Sequence, residues 1–329
     1  MSESGDYDPG PWRGHDFTSA YRAYDSHAGR SYDDAKAVKK EKKDLLEATI
    51  STNCRNPLVI FSDVTGSMGE WPKVMFSKLP YLEHEAKEYL GDDLEISFAA
   101  IGDAYSDQYP LQVRAFSKGT ALKDRMLELV IEGNGGGQLH ETYELGALYA
   151  LKNIDMPKAI KPILIMIGDE MPYDTISKDV AEYAGVKLKK QLSTTEVFEE
   201  LKSKFAVYFI RKPYGSSGGD GMSANDREIR NVWVSLLGAD HVCDLPAAER
   251  VVDVIFGILA KETARIEYFK EEIEGRQRPD QVATVYKSLA SIHTSTGKGA
   301  RSRAGQSIMK IEDKGLRSRK LLGRRDEDE

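Results

Sequence analysis

Pro57-Leu58-Val59-Ile60-Phe61-Ser62-Asp63-Val64-Thr65-Gly66-Ser67-Met68 decides how this chain is read. Its first five residues form an apolar run of the length of a strand buried on both faces. The run ends, after Ser62, in a carboxylate. A hydroxyl follows two residues later at Thr65, then a glycine suited to a tight turn, then a second hydroxyl at Ser67. Three oxygen groups can converge on one point there, and hard oxygen donors suit Mg²⁺ or Mn²⁺. One carboxylate neutralises half of a divalent charge, so such a site stays electrophilic and favours a further carboxylate from outside. Without a metal, the same residues would read as a strand-ending turn.

Working outward, the apolar runs alternate with helical patterns. Glu70 to Leu90 reads as a helix interrupted near Pro80. Leu94 to Ile101 reads as a central strand, and Leu111 to Ser117 as a weaker one after a loop too short for a crossover helix, so the two pair antiparallel. Ala121 to Glu132 is a helix, Gly133 to Gly137 a glycine-rich loop, and Glu141 to Asn153 a helix. The run Pro162 to Ile167 is a strand ending in Gly168-Asp169-Glu170. A helix over Thr194 to Phe205, a strand over Ala206 to Ile210, a helix over Ala224 to Leu237, a short strand over His241 to Asp244 and a helix over Ala248 to Arg265 complete the series. This order predicts an α/β fold: a doubly wound, mostly parallel sheet with helices on both faces and one antiparallel edge strand.

The pattern from Asp63 resembles the metal-ion-dependent adhesion site of von Willebrand factor A (VWA) domains. That family's first motif is Asp-x-Ser-x-Ser, at times with Thr in the middle, and often continues as Gly-Ser-Met. The resemblance extends over roughly Asn56 to Lys261. It implies that Asp63, Thr65 and Ser67 are metal ligands. The family usually adds a Thr from a second loop and an Asp from the end of its fourth strand. Some members carry Gly-Gly-Gly-Asp-x-Pro-Glu in the second place. Gly135-Gly136-Gly137-Gln138-Leu139-His140-Glu141 aligns with it without a gap, with Gln138 and His140 in place of the family's Asp and Pro. Glu141 or Thr142 would then face the metal, and Asp169 would supply the fourth-strand acid. Each has a plainer reading: Glu141 and Thr142 also suit a helix cap, and Asp169 a turn.

The resulting domain expectation is an aromatic-rich flexible arm over 1–34, a helical lead-in over 35–55 (a helix from Asp34 to Ile50), a VWA-like domain over 56–265, and over 266–329 a helical then basic flexible tail, with the core elements ending before Ala290. The chain has 329 residues, 40% of them hydrophobic and 30% charged, enough for a sizeable core in a soluble protein. A net charge of −7 gives no global mark of nucleic-acid binding, which leaves only the basic tail for it. Two cysteines far apart, Cys54 and Cys243, make neither a disulfide framework nor a zinc site and predict a reducing compartment, the cytoplasm. No apolar run is long enough to span a membrane, and the first residues lack a signal pattern.

Two functional classes follow. One is a non-enzymatic, metal-dependent protein-binding module whose Mg²⁺ or Mn²⁺ takes an Asp or Glu from a protein partner. The resemblance implies intracellular multiprotein assemblies, AAA-type ATPases among them, as the setting. The other is a phosphotransferase: Asp63-Val64-Thr65-Gly66-Ser67 also resembles the Asp-x-Thr-Gly-Thr of haloacid-dehalogenase-like enzymes, where the Asp is the nucleophile, with Asp169 and Asp174 as the acidic motif. The Ser67-Met68 continuation fits the first class better. The stretch Gly215 to Asn225 is expected at the same strand ends, where it would tune the partner.

Overall fold

A computed structural model describes residues 45–69, 71–72, 82–131, 139–214 and 222–293. Along the chain run β1 (Ile50–Ser51), β2 (Leu58–Asp63), α1 (Leu82–Leu90), β3 (Ile96–Ile101), β4 (Leu111–Val113), α2 (Thr120–Leu127), α3 (Tyr143–Asn153), β5 (Ile154–Asp155) and β6 (Ile163–Gly168). There follow β7 (Thr175–Ile176), α4 (Lys178–Tyr183), β8 (Leu192–Ser193), α5 (Thr194–Lys204), β9 (Ala206–Arg211), α6 (Ala224–Leu237), β10 (Val242–Asp244), α7 (Val251–Glu262), α8 (Ile266–Arg276) and α9 (Pro279–His293).

The main sheet has six strands in the order β10-β9-β6-β2-β3-β4. All neighbours pair parallel except β3 and β4, which pair antiparallel from Ala99 opposite Val113 to Ile101 opposite Leu111. The fold is therefore α/β, with a mostly parallel sheet and one antiparallel edge strand, as the alternation of elements predicts. The strand period of two divides each central strand between two cores. Leu58 and Ile60 of β2, with Ile163, Ile165 and Ile167 of β6, face a core completed by α1, α7, α8 and α9. Val59 and Phe61, with Leu164 and Met166, face a second core completed by α3, α4, α5 and α6. Being apolar on both faces is why these strands read as continuous hydrophobic runs.

From β2 the sheet grows in two directions. The route to β3 uses α1 on one face, while the routes from β6 to β9 and from β9 to β10 use α5 and α6 on the other. Right-handed crossovers demand that change of face when the direction of growth reverses. In open α/β sheets ligands bind at such a reversal, outside the carboxyl ends of the strands, which here are those of β2 and β6.

The helix expected over Asp34 to Ile50 is corrected at its end. Residues 45–50 are not helical: Leu45 accepts a backbone hydrogen bond from Val113 (2.9 Å), Leu46 bridges Val113, and β1 pairs with β5. Unpaired groups on the edge strand β4 offer this segment backbone partners that helical periodicity cannot reveal. Residues 1–44, the glycine-rich loop over 133–137, residues 215–221 and the tail over 294–329 lie outside the described residues.

At the carboxyl-terminal side, α8 and α9 pack onto α7. A methyl at Gly257 of α7 would collide with the Leu289 side chain of α9, so glycine sets how closely the two helices approach. Phe269, Ile273, Val285, Leu289 and Ile292 are all fully buried. The core therefore continues to Ile292, beyond the limit of Ala290 drawn from sequence.

Candidate functional site

Parallel pairing with β3 and β6 carries Asp63 to the carboxyl end of β2, where it is completely buried. The chain then turns into a short 3₁₀ helix, Gly66–Met68. Thr65 stands at its N-cap position, but its side chain does not cap it. The hydroxyl turns back instead. Thr65 donates to Asp63 Oδ1 from both its backbone amide (2.9 Å) and its Oγ1 (2.6 Å). Ser67 Oγ lies 3.2 Å from Thr65 Oγ1 and donates to Asp169 Oδ1 at 2.8 Å. The Asp63, Thr65 and Ser67 motif and Asp169, singled out apart from it in the sequence, thus form one hydrogen-bonded set of oxygen atoms. Among the described residues no group of three or more His, Cys, Asp or Glu side chains is arranged to hold a metal ion. The set here has two carboxylates and two hydroxyls, all hard oxygen donors of the kind Mg²⁺ and Mn²⁺ accept.

Glu141 and Thr142 precede α3 on the neighbouring loop. Thr142 Oγ1 donates to the Gly102 carbonyl (2.5 Å) and accepts from the Ala104 amide (3.2 Å). It ties this loop to the end of β3 and makes no side-chain cap to α3. Glu141 is buried beside Asp63 and Glu170, shares a hydrogen bond with Glu170, and has no hydrogen-bond partner for its Oε2 atom. Glu170 is likewise buried with Oε2 unpartnered.

Burial governs the electrostatics, and the crowding of acids adds to it. Burial, and then the nearby Asp169, push Asp63 up to about 7 against the hydrogen bonds from Thr65 and Tyr143. Burial, then Asp63 and Glu170, push Glu141 up to about 11. Burial, then Asp169 and Asp63, push Glu170 up to about 8. Each raised value says that the charged form is disfavoured here, first by burial and then by the neighbouring acids.

Besides Glu170, which the sequence reading met only as part of the Gly168-Asp169-Glu170 strand ending, two residues of the site escaped it. Tyr143, the first residue of α3, donates from its hydroxyl to Asp63 Oδ2 at 2.5 Å. Its ring is held edge-on to Phe209 and Trp233, and Trp233 Nε1 donates to the Glu170 carbonyl at 2.8 Å. A side chain on Gly168 would occupy the space of the Tyr143 hydroxyl, so the Gly-Asp ending of β6 serves both residues. Lys212, just past β9, donates from Nζ to Asp169 Oδ2 (2.6 Å) and to the Ser67 carbonyl (2.8 Å). Tyr143 carries no local signal, since it stands at the start of a helix rich in apolar residues. Lys212 did carry a signal: a charged residue directly after an apolar strand, on the sheet edge where ligands bind. Asp174 is exposed, ahead of β7.

Comparison of the sequence with known families finds no match, and comparison with curated proteins finds none either. Among solved structures, the pilus adhesin SpaC from Lactobacillus rhamnosus GG, in its open conformation, is similar at 12% identity with a TM-score of 0.45, over 69% of this chain and 31% of the adhesin. Proximal thread matrix protein 1 from the mussel byssus is similar at 11% identity with a TM-score of 0.43, over 65% of this chain and 49% of that protein. This chain thus spans about a third of the adhesin and half of the thread protein. Likenesses this distant carry no argument, and the fold class rests on the sheet itself.

Proposed function

We propose that this chain is a metal-dependent protein-binding module of the von Willebrand factor A type. Its ion, Mg²⁺ or Mn²⁺, would be held by Asp63, Thr65 and Ser67, with Asp169 behind them and Glu141 alongside. The observation that carries the reading is the convergence of Asp63, Thr65, Ser67 and Asp169 into one hydrogen-bonded oxygen set at the carboxyl ends of β2 and β6. The order of the sheet, with its antiparallel edge, also supports it. A bound ion would supply an electrophilic position for a partner's Asp or Glu, and the protein's part is to hold the oxygens in place.

The phosphotransferase reading gains less support. A nucleophilic Asp63 needs a free oxygen, yet Oδ1 accepts twice from Thr65 and Oδ2 accepts from the Tyr143 hydroxyl. Cys54 and Cys243 are both free and buried, which supports a reducing compartment such as the cytoplasm. Among the described residues no helix is long and apolar enough to cross a membrane. An AAA-type ATPase or another member of a multiprotein assembly is the partner class we favour.

The test is partner capture with Mg²⁺ and with chelator, using the wild type and Asp63→Ala. Capture that needs both the metal and Asp63 is expected. Capture indifferent to chelator would move the recognition surface away from this site.

A further inference from the structure

We propose that Lys212 is a built-in counter-cation of the site, which competes with a divalent ion for Asp169 and so sets the metal concentration at which the site fills. The inference rests on the reading that the site takes a metal, and it assigns a task to a residue outside the motif.

The position of Lys212 is fixed on both sides. Its backbone amide donates to the Gly168 carbonyl at 2.8 Å, which seats it beside Asp169. The preceding Arg211 is fully buried and paired with Asp226 and Asp244, and the Tyr214 amide donates to Asp226 as well. From that base the Lys212 ammonium reaches Asp169, whose side chain is 1% exposed, and the carbonyl of Ser67. It thereby links the two halves of the oxygen set. Among the described residues no other basic side chain is hydrogen-bonded or ion-paired to Asp63, Glu141, Asp169 or Glu170.

The charge arithmetic follows. With Lys212 in place, Asp169 has a basic partner and Asp63 has none among the described residues. An ion that draws on Asp169, directly or through water, must displace the ammonium or lie beside it, and like charges repel. Lysine suits displacement: its charge sits on a flexible four-carbon stem without the fixed fork of arginine, and this side chain is 19% exposed, so solvent can receive the released ammonium. A purely structural ion pair would make the opposite prediction, because losing it would loosen the site and weaken metal binding.

Calorimetric titration of the full chain with Mn²⁺ separates these cases. Lys212→Met should bind Mn²⁺ about tenfold tighter than the wild type or better, the range in which groups around metal ligands act. Lys212→Arg, which keeps the charge, should not. Adding Asp63→Ala to Lys212→Met should abolish the gain. If the Met variant does not fold, Lys212→Gln tests the same removal of charge. The melting temperature gives a second readout, since Mn²⁺ should raise it more in the neutral variant than in the wild type. Wild-type binding that depends on Asp63, with equal or weaker binding in the neutral variants, would overturn the role of Lys212 and leave the metal reading standing. No binding in the wild type or the neutral variants, or binding indifferent to Asp63→Ala, would overturn the metal reading and this inference with it.

Discussion

Asp63 is held by three donated hydrogen bonds, yet its carboxyl is pushed up to about 7. The native state therefore keeps its proton over a range in which the unfolded chain, with an ordinary carboxyl near 3.8, has already released it. Stability from this group is complete at low pH. It is lost as pH rises from about 4 to about 7, by up to about 1.4 kcal/mol per pH unit. Glu170, pushed up to about 8, extends the loss upward. In chelator the protein should melt at progressively lower temperature between pH 5 and pH 8, and Asp63→Asn should flatten the profile. Thermal scans across that range check it, and identical slopes in both proteins would remove Asp63 from the effect. The hydroxyls and acids that meet here were visible in the sequence because Asp-x-Thr-Gly-Ser places them within one turn and Gly-Asp ends a strand. Tyr143 and Lys212 join them only through the sheet, across separations of 80 and 43 residues from Asp63 and Asp169. Such contacts follow from the fold, and for Lys212 the sequence offered only its place after an apolar strand.

Strand β6 shows how one element serves core and site together. Its five apolar residues alternate between the two cores, and Gly168 then leaves room for the Tyr143 hydroxyl to reach Asp63. Gly168→Ala should cost about 1–3 kcal/mol, the range for overpacking a well-filled interior. Combined with Tyr143→Phe, which removes the nearest obstructing atom, the loss should be less than additive. Denaturant midpoints of the two single variants and the double variant measure this, and strict additivity would show that the two residues do not interfere. Elements buried on both faces were the most legible: the runs of β2, β6 and β9 lie within a residue or two of the bounds read from sequence, and α6 spans Ala224–Leu237 as expected. Legibility fell where pairing or docking decides the structure. Leu45 and Leu46 could continue a helical pattern, but the backbone of β4 claims them.

The carboxyl-terminal helices were read as the helical start of a tail, ahead of its basic segment. The spacing of Val282, Val285, Leu289 and Ile292 nevertheless marks one buried face of α9. A chain ended at Ser295 keeps every described element, whereas one ended at Arg278 loses α9 and bares the face of α7 around Gly257. The shorter chain should melt well below the longer one, and calorimetry compares them directly. Equal melting temperatures would mean that α9 adds nothing to the fold. Ser291 of α9 also donates to the Val242 carbonyl of β10 at 2.7 Å, while Leu45 and Leu46 lie along β4 at the opposite margin of the sheet. Both outer strands are thus covered by the chain itself, and each is only three residues long. An open strand margin is a template on which another copy can extend the sheet and seed aggregates. Contacts at both margins take backbone groups away from that template, so the described sheet is guarded against growth edge to edge.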